Sequence, residues 1–271
     1  MKTWFITGAS RGFGALITEA VLASGDAVVA TARDPSSIAD HPRLLKLPLD
    51  VTNEGHARDA AARGIDEFDR IDVLVNNAGY GLLGAVEEAS AVEVERVFAT
   101  NVFGLLNVTR AVLPYMRNRR SGHIVNMSSI GGYASHPGWG VYCATKFAVE
   151  GISEALSIEL APLGIHATVV EPGYFRTDFL SAQSLNGTAV RIDEYAETVG
   201  KMRTFAAAAN HQQPGDPQRL AQVIVQLASE KKPPTRLALG SDTVARIEEK
   251  NRDVQRELDL WRAVSLSTDF T

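Results

Sequence analysis

Tyr142 and Lys146 stand four residues apart in the run Tyr142-Cys143-Ala144-Thr145-Lys146, inside an amphipathic helical pattern, so both side chains project from one helix face. A phenol beside an ammonium makes a proton donor. Tyrosine alone titrates near ~10, too high for easy proton exchange at neutral pH, and a neighbouring cation favours the phenolate and lowers that value. Such a pair can deliver a proton to a carbonyl oxygen or take one from an alcohol. A Tyr and a Lys at this spacing also arise by chance and then only pack or snorkel. The weight of the pair therefore depends on what the rest of the chain must place beside it.

The N-terminal residues supply a partner. Lys2 to Thr7 reads as a short strand, Gly8-Ala9-Ser10-Arg11-Gly12-Phe13-Gly14 as a glycine-rich turn, and Ala15 to Ser24 as a helix. Gly8 allows the tight turn, and Gly12 lets the backbone approach a pyrophosphate. Gly14 lets the helix start pack on the strand, with free amides facing the anion. The spacing Gly-x-x-x-Gly-x-Gly differs from the commoner Gly-x-Gly-x-x-Gly, and a glycine cluster alone can be a structural turn. A strand before it and a helix after it favour a dinucleotide site.

Further along, short apolar β-rich runs alternate with longer amphipathic ones, the pattern of βα units around a parallel sheet. Strands are expected at Thr3 to Ile6, Ala27 to Thr31, Leu44 to Leu47, Val73 to Val75, His123 to Asn126, Ala167 to Glu171 and Leu237 to Leu239. Helices are expected at Asn53 to Phe68, Val92 to Arg117, Tyr142 to Leu163 and Pro217 to Ser229. Two segments break the alternation. Tyr174 to Pro214 reads as a substrate lid or a plain surface excursion, and Ser241 to Val264 as a charged terminal helix whose Leu258, Leu260 and Trp261 pack on the domain. Glu87, Glu88, Glu93 and Glu95 read as a solvated helix face.

At 271 residues, with 45% hydrophobic and 22% charged residues, the chain (1–271) can bury its core as one α/β domain. A net charge of −5 and the single Cys143 argue against a nucleic-acid surface and a disulfide framework. The six histidines show no ligand spacing, so no metal is expected. No run approaches the ~18 apolar residues of a membrane helix, and the first residues are needed as a strand rather than a signal peptide, which leads to the expectation of a soluble, cytoplasmic protein.

Taken together, the motifs resemble those of the classical short-chain dehydrogenase/reductase family over nearly the whole chain. They stand in that family's order: Thr7 to Gly14, Asp50-Val51, Asn76-Asn77-Ala78-Gly79, Asn101, Asn126-Met127-Ser128-Ser129, Tyr142 to Lys146, and Pro172-Gly173 with Thr177. Val141 to Gly151 and Glu171 to Tyr174 look most like the branch containing 17β-hydroxysteroid dehydrogenases and retinol dehydrogenase-like enzymes. The resemblance implies a single Rossmann-type, doubly wound domain with about seven parallel strands, and hydride transfer between a nicotinamide and a carbonyl or secondary alcohol.

It also implies residue roles. Tyr142 is the acid or base, and Lys146 lowers its pKa and bonds the nicotinamide ribose. Ser129, thirteen residues before Tyr142, polarises the substrate oxygen, while Ser128 points elsewhere. Asn101 holds a water linking the lysine to solvent, although an asparagine inside a helix also reads as a cap or kink. Asp50 and Val51 border the adenine, Asn77, Ala78 and Gly79 the ribose and nicotinamide side, and Thr177 the carboxamide, with Pro172 and Gly173 also binding the cofactor. Asp50 also reads as a helix cap and Gly79 as a turn residue.

Where NAD-binding relatives carry an acid after the second strand, this chain has Ala32, and Arg33 and Arg11 stand where NADP-binding members carry basic residues. Two guanidiniums can clamp a 2′-phosphate, so NADP(H) is expected; Arg33 could instead pair with Asp34 or a helix carboxylate. Tyr80, Tyr133, His136, Trp139, Tyr174, Phe175, Phe179 and Leu180 fall near the implied cleft and suggest a small-molecule substrate that is a hydrophobic ketone or aldehyde. His136 also reads as a plain surface residue. The family's habit implies a homodimer or homotetramer. Other readings of the fold are a non-catalytic NADP(H)-sensing regulator, and an extended-branch epimerase or dehydratase, which would need more chain than the tail after Gly240.

Overall fold

The computed structural model describes residues 1–270. Nine strands are present: β1 (Thr3–Thr7), β2 (Ala27–Ala32), β3 (Leu44–Pro48), β4 (Val73–Asn76), β5 (Gly81–Leu83), β6 (Gly122–Met127), β7 (Ile165–Pro172), β8 (Leu185–Gly187) and β9 (Arg236–Leu239). Seven form one parallel sheet in the order β3-β2-β1-β4-β6-β7-β9. All seven coincide with runs expected from the sequence. The helices are α1 (Gly12–Ala23), α2 (Glu54–Phe68), α3 (Ala91–Phe98), α4 (Leu105–Arg119), α5 (Gly140–Leu160), α6 (Lys201–Ala209), α7 (Pro217–Leu227) and α8 (Ser241–Leu266).

The inner strands are largely apolar because both their faces are covered. Alternation sends Trp4 and Ile6 of β1, with Val28 and Ala30 of β2, against Ile17 and Val21 of α1 and Leu220 and Ile224 of α7. Phe5 and Val29 point the other way, onto Ala57 and Ala61 of α2 and Val108 and Val112 of α4. Each such fully buried large side chain contributes ~1.5–3 kcal/mol. Local chemistry sets the helix starts. Asn53 caps α2 by accepting the His56 N–H, Ser90 and Glu93 form a reciprocal capping box on α3, and Asp216 caps α7 ahead of Pro217.

Three departures from the sequence reading bear on function. The expected helix Val92 to Arg117 is broken by a π-helical turn at Ala99–Gly104 that contains Asn101. Within the run Ala91–Arg119 an 18-residue window reaches a mean hydropathy of 1.2, long and apolar enough for a membrane span, but 50% of that window is buried inside the domain. The segment after Tyr174 is neither loose nor featureless. Its β8 pairs in parallel with β5, and a π-helical turn at Ala196–Gly200 leads into α6. Finally, α8 does not pack along its length, since Leu258, Leu260 and Trp261 are 47%, 77% and 59% exposed. Its first turns touch the domain and the rest projects, a register that its charged composition permits and that apolar count alone does not reveal.

Candidate active site

In a sheet of this order the sense in which strands are added reverses between β1 and β4, and a crevice opens beyond their C-terminal ends. A cleft of about 1180 Å³ lies there. Every residue expected in the site lines it except Gly14, Asn101 and Tyr133. At its floor stands the N-terminus of α1. Gly12 holds φ +55°, and a side chain at Gly14 would collide with the carbonyl oxygen of Gly8, so α1 can begin this close to β1 only with glycine there. The N-cap, Arg11, makes no capping hydrogen bond, and no acid lies in the first turn. The orphan amides of that turn therefore face the cleft unspent, a cradle that fits a pyrophosphate.

Asn77 makes the turn rigid. Its amide donates to the carbonyls of Thr7 and Gly8 at 3.0 and 3.1 Å, while Thr7 Oγ1 accepts the N–H groups of Asn77 and Ala78, both at 3.0 Å. The side chain is thus spent stitching β1 to β4, and only its outer edge borders the cleft. Asp50 likewise accepts the N–H and hydroxyl of Thr52 at 3.0 and 2.8 Å, shaping the turn that leads to Asn53 while it lines the groove with Val51. Asp34 is occupied by the Ser36 N–H, and Arg33, exposed at the rim, makes no ion pair among the described residues. Arg11 reaches across the opening to the lid, donating to Gln183 O at 2.7 Å and Gln183 Oε1 at 3.4 Å.

Deeper in, α5 delivers Tyr142 and Lys146 to one face, 6% and 7% exposed. Their relation differs from the sequence expectation. The Lys146 ammonium donates to Met127 O of β6 at 2.8 Å and lies 5.8 Å from the centre of the Tyr142 ring. It makes no hydrogen bond to the phenol. Burial pushes the Tyr142 phenol well above its ordinary pKa, opposed by the Ser129 hydroxyl. Burial also brings Lys146 down to about 8, against the pull of Glu150. Ser129 sits at the end of β6, its Oγ accepting the Gly131 N–H at 3.1 Å beside the ring edge of Tyr142. Ser128 turns its hydroxyl away, into the buried space around Gly132 that it shares with Glu150.

Asn101, 2% exposed, sits behind this face rather than in it. Its side chain accepts the Tyr80 N–H at 3.1 Å and donates to Tyr80 O at 2.9 Å and to Thr145 Oγ1 at 3.1 Å. Thr145 in turn donates to Tyr142 O at 2.7 Å. The π-helical turn aims this amide inward, so Asn101 ties the loop after β4 to the helix that carries Tyr142.

The far end of the cleft is apolar and aromatic. Trp139 packs edge-on against Tyr142 at 5.5 Å and stacks on Phe179 at 6.5 Å, with Leu83, Leu180, Leu185, Met202 and Ala206 around them. Tyr174 meets Phe205 edge-on at 5.8 Å, and Phe175 packs on Phe13 at 5.6 Å. His136 lines this end, its pKa kept down by burial and by Arg246. Cys143 is buried and burial raises its thiol pKa, which suits packing rather than reactivity. Tyr133 does not belong here. Its hydroxyl donates to Asn251 of α8 at 2.5 Å, because the turn after β6 swings its ring away from the cleft.

The acidic run is also not a solvated face. Glu88, 1% exposed, accepts the N–H groups of Ala85 and Ile192 at 2.7 and 2.8 Å and pairs with Arg203. Glu87 accepts the Tyr195 hydroxyl at 2.6 Å, and Glu93 the Ala189 N–H at 2.9 Å. Desolvation pushes the Glu88 carboxyl up, but its two backbone donors and Arg203 outweigh it and hold it below its usual value. Three of the four glutamates thus clasp the lid, and Glu95 alone stays exposed without a partner among the described residues. Sequence reading missed this because helical spacing cannot show a segment about a hundred residues away folding back over it. It also missed Arg96, Gln183, Ser184 and Gln213 in the cleft wall, which belong to no motif.

Against known proteins, residues 2–186 match the short chain dehydrogenase family model. The chain belongs to the short-chain dehydrogenase family. Among relatives of this short-chain dehydrogenase, an oxidoreductase, BOA17, of Botryotinia fuckeliana is 37% identical over 98% of this chain and 99% of its own. A 3-ketodihydrosphingosine reductase of Bacteroides thetaiotaomicron is 40% identical over 87% and 86%. A short-chain dehydrogenase from Streptomyces avermitilis superposes with a TM-score of 0.93 at 42% identity, over 99% of both chains, and a serine dehydrogenase solved with NADP+ with 0.73 at 28% identity, over 88% of this chain and 94% of its own. The chain is therefore an oxidoreductase of this family, and the sensor reading draws no support from these relatives.

Proposed function

We propose that the protein is an NADP(H)-dependent reductase of a hydrophobic ketone or aldehyde, running in reverse on the corresponding alcohol, secondary for the ketone. The observation that carries this is the convergence of Ser129, Tyr142 and Lys146, on two separate elements, at the point where an uncapped helix start meets an aromatic pocket. The residues present fit a nicotinamide dinucleotide, which supplies or accepts the hydride when bound. Ser129 Oγ and the Tyr142 phenol hold the substrate oxygen, and the phenol gives it a proton as negative charge develops. A phenol with a raised pKa is poor at spontaneous ionisation. A charged Lys146, released from Met127 O toward a bound ribose and the phenol, would lower it, so the proton moves only in the filled site. Asn101 fixes the backbone on either side, and the water-holding role implied by the resemblance remains part of this proposal.

NADP(H) over NAD(H) is supported by Ala32 in place of an acid, by unpaired Arg33 at the rim, and by Arg11 in the wall of the same cleft. Two distant relatives, the serine dehydrogenase and ElxO, were solved with NADP bound. The hydrophobic substrate is supported by the pocket of Trp139, Phe179, Leu180 and Met202, and the ketodihydrosphingosine reductase relative acts on a ketone by its name. Membership of a hydroxysteroid- or retinol-dehydrogenase-like branch, a cytoplasmic location and a homodimer or homotetramer belong to the same reading. The test is Tyr142→Phe: turnover is lost while NADPH still binds, whereas loss of both refutes the assigned role.

A further inference from the structure

Glu150, 4% exposed, lies four residues after Lys146 on α5, one helical turn behind it on the same side of the helix. Its neighbours form a closed set. Arg236 of β9 pairs with Glu150 and, through the same terminal nitrogen, with the buried Glu171 of β7 at 3.2 Å. The other terminal nitrogen of Arg236 reaches the exposed Glu154 at 2.9 Å. One guanidinium thus faces two enclosed carboxyl groups and balances only one of them. Glu150 Oε1 has no hydrogen-bond partner, nor has the Ser128 hydroxyl, and both border the space above Gly132, where a Cβ would stand 3.0 and 2.4 Å from them. The start of α8 packs on the same turn, but its Arg246 and Glu249 act on His136. Desolvation, with Glu171 adding to it, raises the Glu150 carboxyl above the usual carboxylate range, opposed by Ser128 and Arg236.

We propose that Glu150 is a positioning residue for the reaction, its carboxylate standing behind Lys146 and holding the ammonium in its charged form. The inference rests on the role given to Lys146 above and adds the group that sustains it. Lys146 is enclosed, and its hydrogen-bond acceptor, Met127 O, is neutral. Burial works against its charge, and among the described residues Glu150 is the charged group that acts in its favour. The cluster opens to solvent at Arg236, whose side chain is 35% exposed. As pH rises, Glu150 gives its proton to water there, and the negative charge left behind opposes loss of the next proton from Lys146. Reduction, which needs the charged lysine, is thereby sustained on the alkaline side of neutrality.

The test is the titration of Lys146 in cofactor-free enzyme, followed by NMR on protein carrying isotope-labelled lysine and assigned by the signal missing from Lys146→Arg. Glu150→Gln should lower the midpoint by about half to one pH unit, the size of effect one nearby, partly screened charge produces. Glu154→Gln takes a carboxylate from the exposed edge of the same Arg236 and should leave the midpoint in place. Glu150→Asp keeps the charge and should recover most of the shift, a rescue that a merely structural role would not give. The alkaline fall of NADPH-dependent reduction should move with the midpoint across the set. In wild type, the infrared carbonyl band of a protonated buried carboxyl should vanish at a lower pH than the Lys146 midpoint, a reading that needs no variant to fold. An unmoved midpoint in Glu150→Gln, an equal displacement in Glu154→Gln, or a carboxyl band that outlasts the charge on Lys146 overturns the proposal. Wild type that reduces no carbonyl with either cofactor overturns the catalytic reading instead, while the titration still decides whether Glu150 holds the charge on Lys146.

Discussion

Replacing Glu88 with alanine removes the central clasp of the lid. The carboxylate is fully enclosed and serves three donors, the N–H groups of Ala85 and Ile192 and the Arg203 guanidinium, whose side chain is 18% exposed. Removing one partner of a buried pair strands the other, at about 3–5 kcal/mol. Because the clasp joins the lid to the rest of the domain and lies outside the sheet core, the cost should fall on lid opening more than on global unfolding. Lowering the opening free energy by ~3 kcal/mol raises the open population roughly 150-fold. Limited proteolysis reads that population directly when opening is fast relative to cleavage. Cleavage within 174–214 should accelerate by that order, and KM for the substrate should rise because Phe179, Leu180 and Met202 no longer cover Trp139 and Tyr142. The double variant Glu88→Gln with Arg203→Met, which removes both charges, should recover part of the loss. Unchanged cleavage and unchanged KM in Glu88→Ala would refute the clasp.

Three further outcomes follow from the geometry. Arg33→Ala should weaken NADPH binding by about tenfold to a hundredfold, as loss of a charge-assisted hydrogen bond does, and leave NADH binding nearly unchanged; equal effects on both would make Arg33 structural. Gly14→Ala should disrupt the join of α1 and β1, and a variant as stable as wild type by denaturant titration would contradict the close approach read there. His123, buried in β6 and bonded to Thr168 Oγ1 at 2.9 Å, has its pKa lowered from 6.5 to about 3 by desolvation, with His166 and Lys2 adding to it. The unfolded chain therefore binds the proton first. This stabilising share is complete above about pH 6.5 and is lost as pH falls toward about 3, at up to ~1.4 kcal/mol per pH unit. The stability difference between wild type and His123→Gln should shrink over that window, and a pH-independent difference would refute it.

The fold was largely legible in the residues because the inner sheet strands are buried on both faces and so read as apolar runs between caps and turns. What stayed hidden was of two kinds. Strands β5 and β8, three residues each, are too short to leave a periodic signal, and Glu88 looked solvated because its partners Ile192 and Arg203 come from far along the chain. In the site, motifs located Tyr142, Lys146 and Ser129 but not the hydrogen bond that holds the lysine. Spacing placed a cation near the phenol, yet could not show that Met127 O already holds the ammonium. Asn101 posed the converse problem: the asparagine was conspicuous in a helix, and only the π-helical turn explains where its amide goes.

The most direct test is oxidation of NADPH, followed at the nicotinamide absorbance, against ketosteroids, retinal, aromatic aldehydes, diketones, small ketones and a long-chain amino ketone, with NADH in parallel and Tyr142→Phe as control. Turnover of a hydrophobic carbonyl with NADPH, abolished in the variant, is the predicted result. Turnover that survives Tyr142→Phe, or that runs equally well with NADH, would contradict the account.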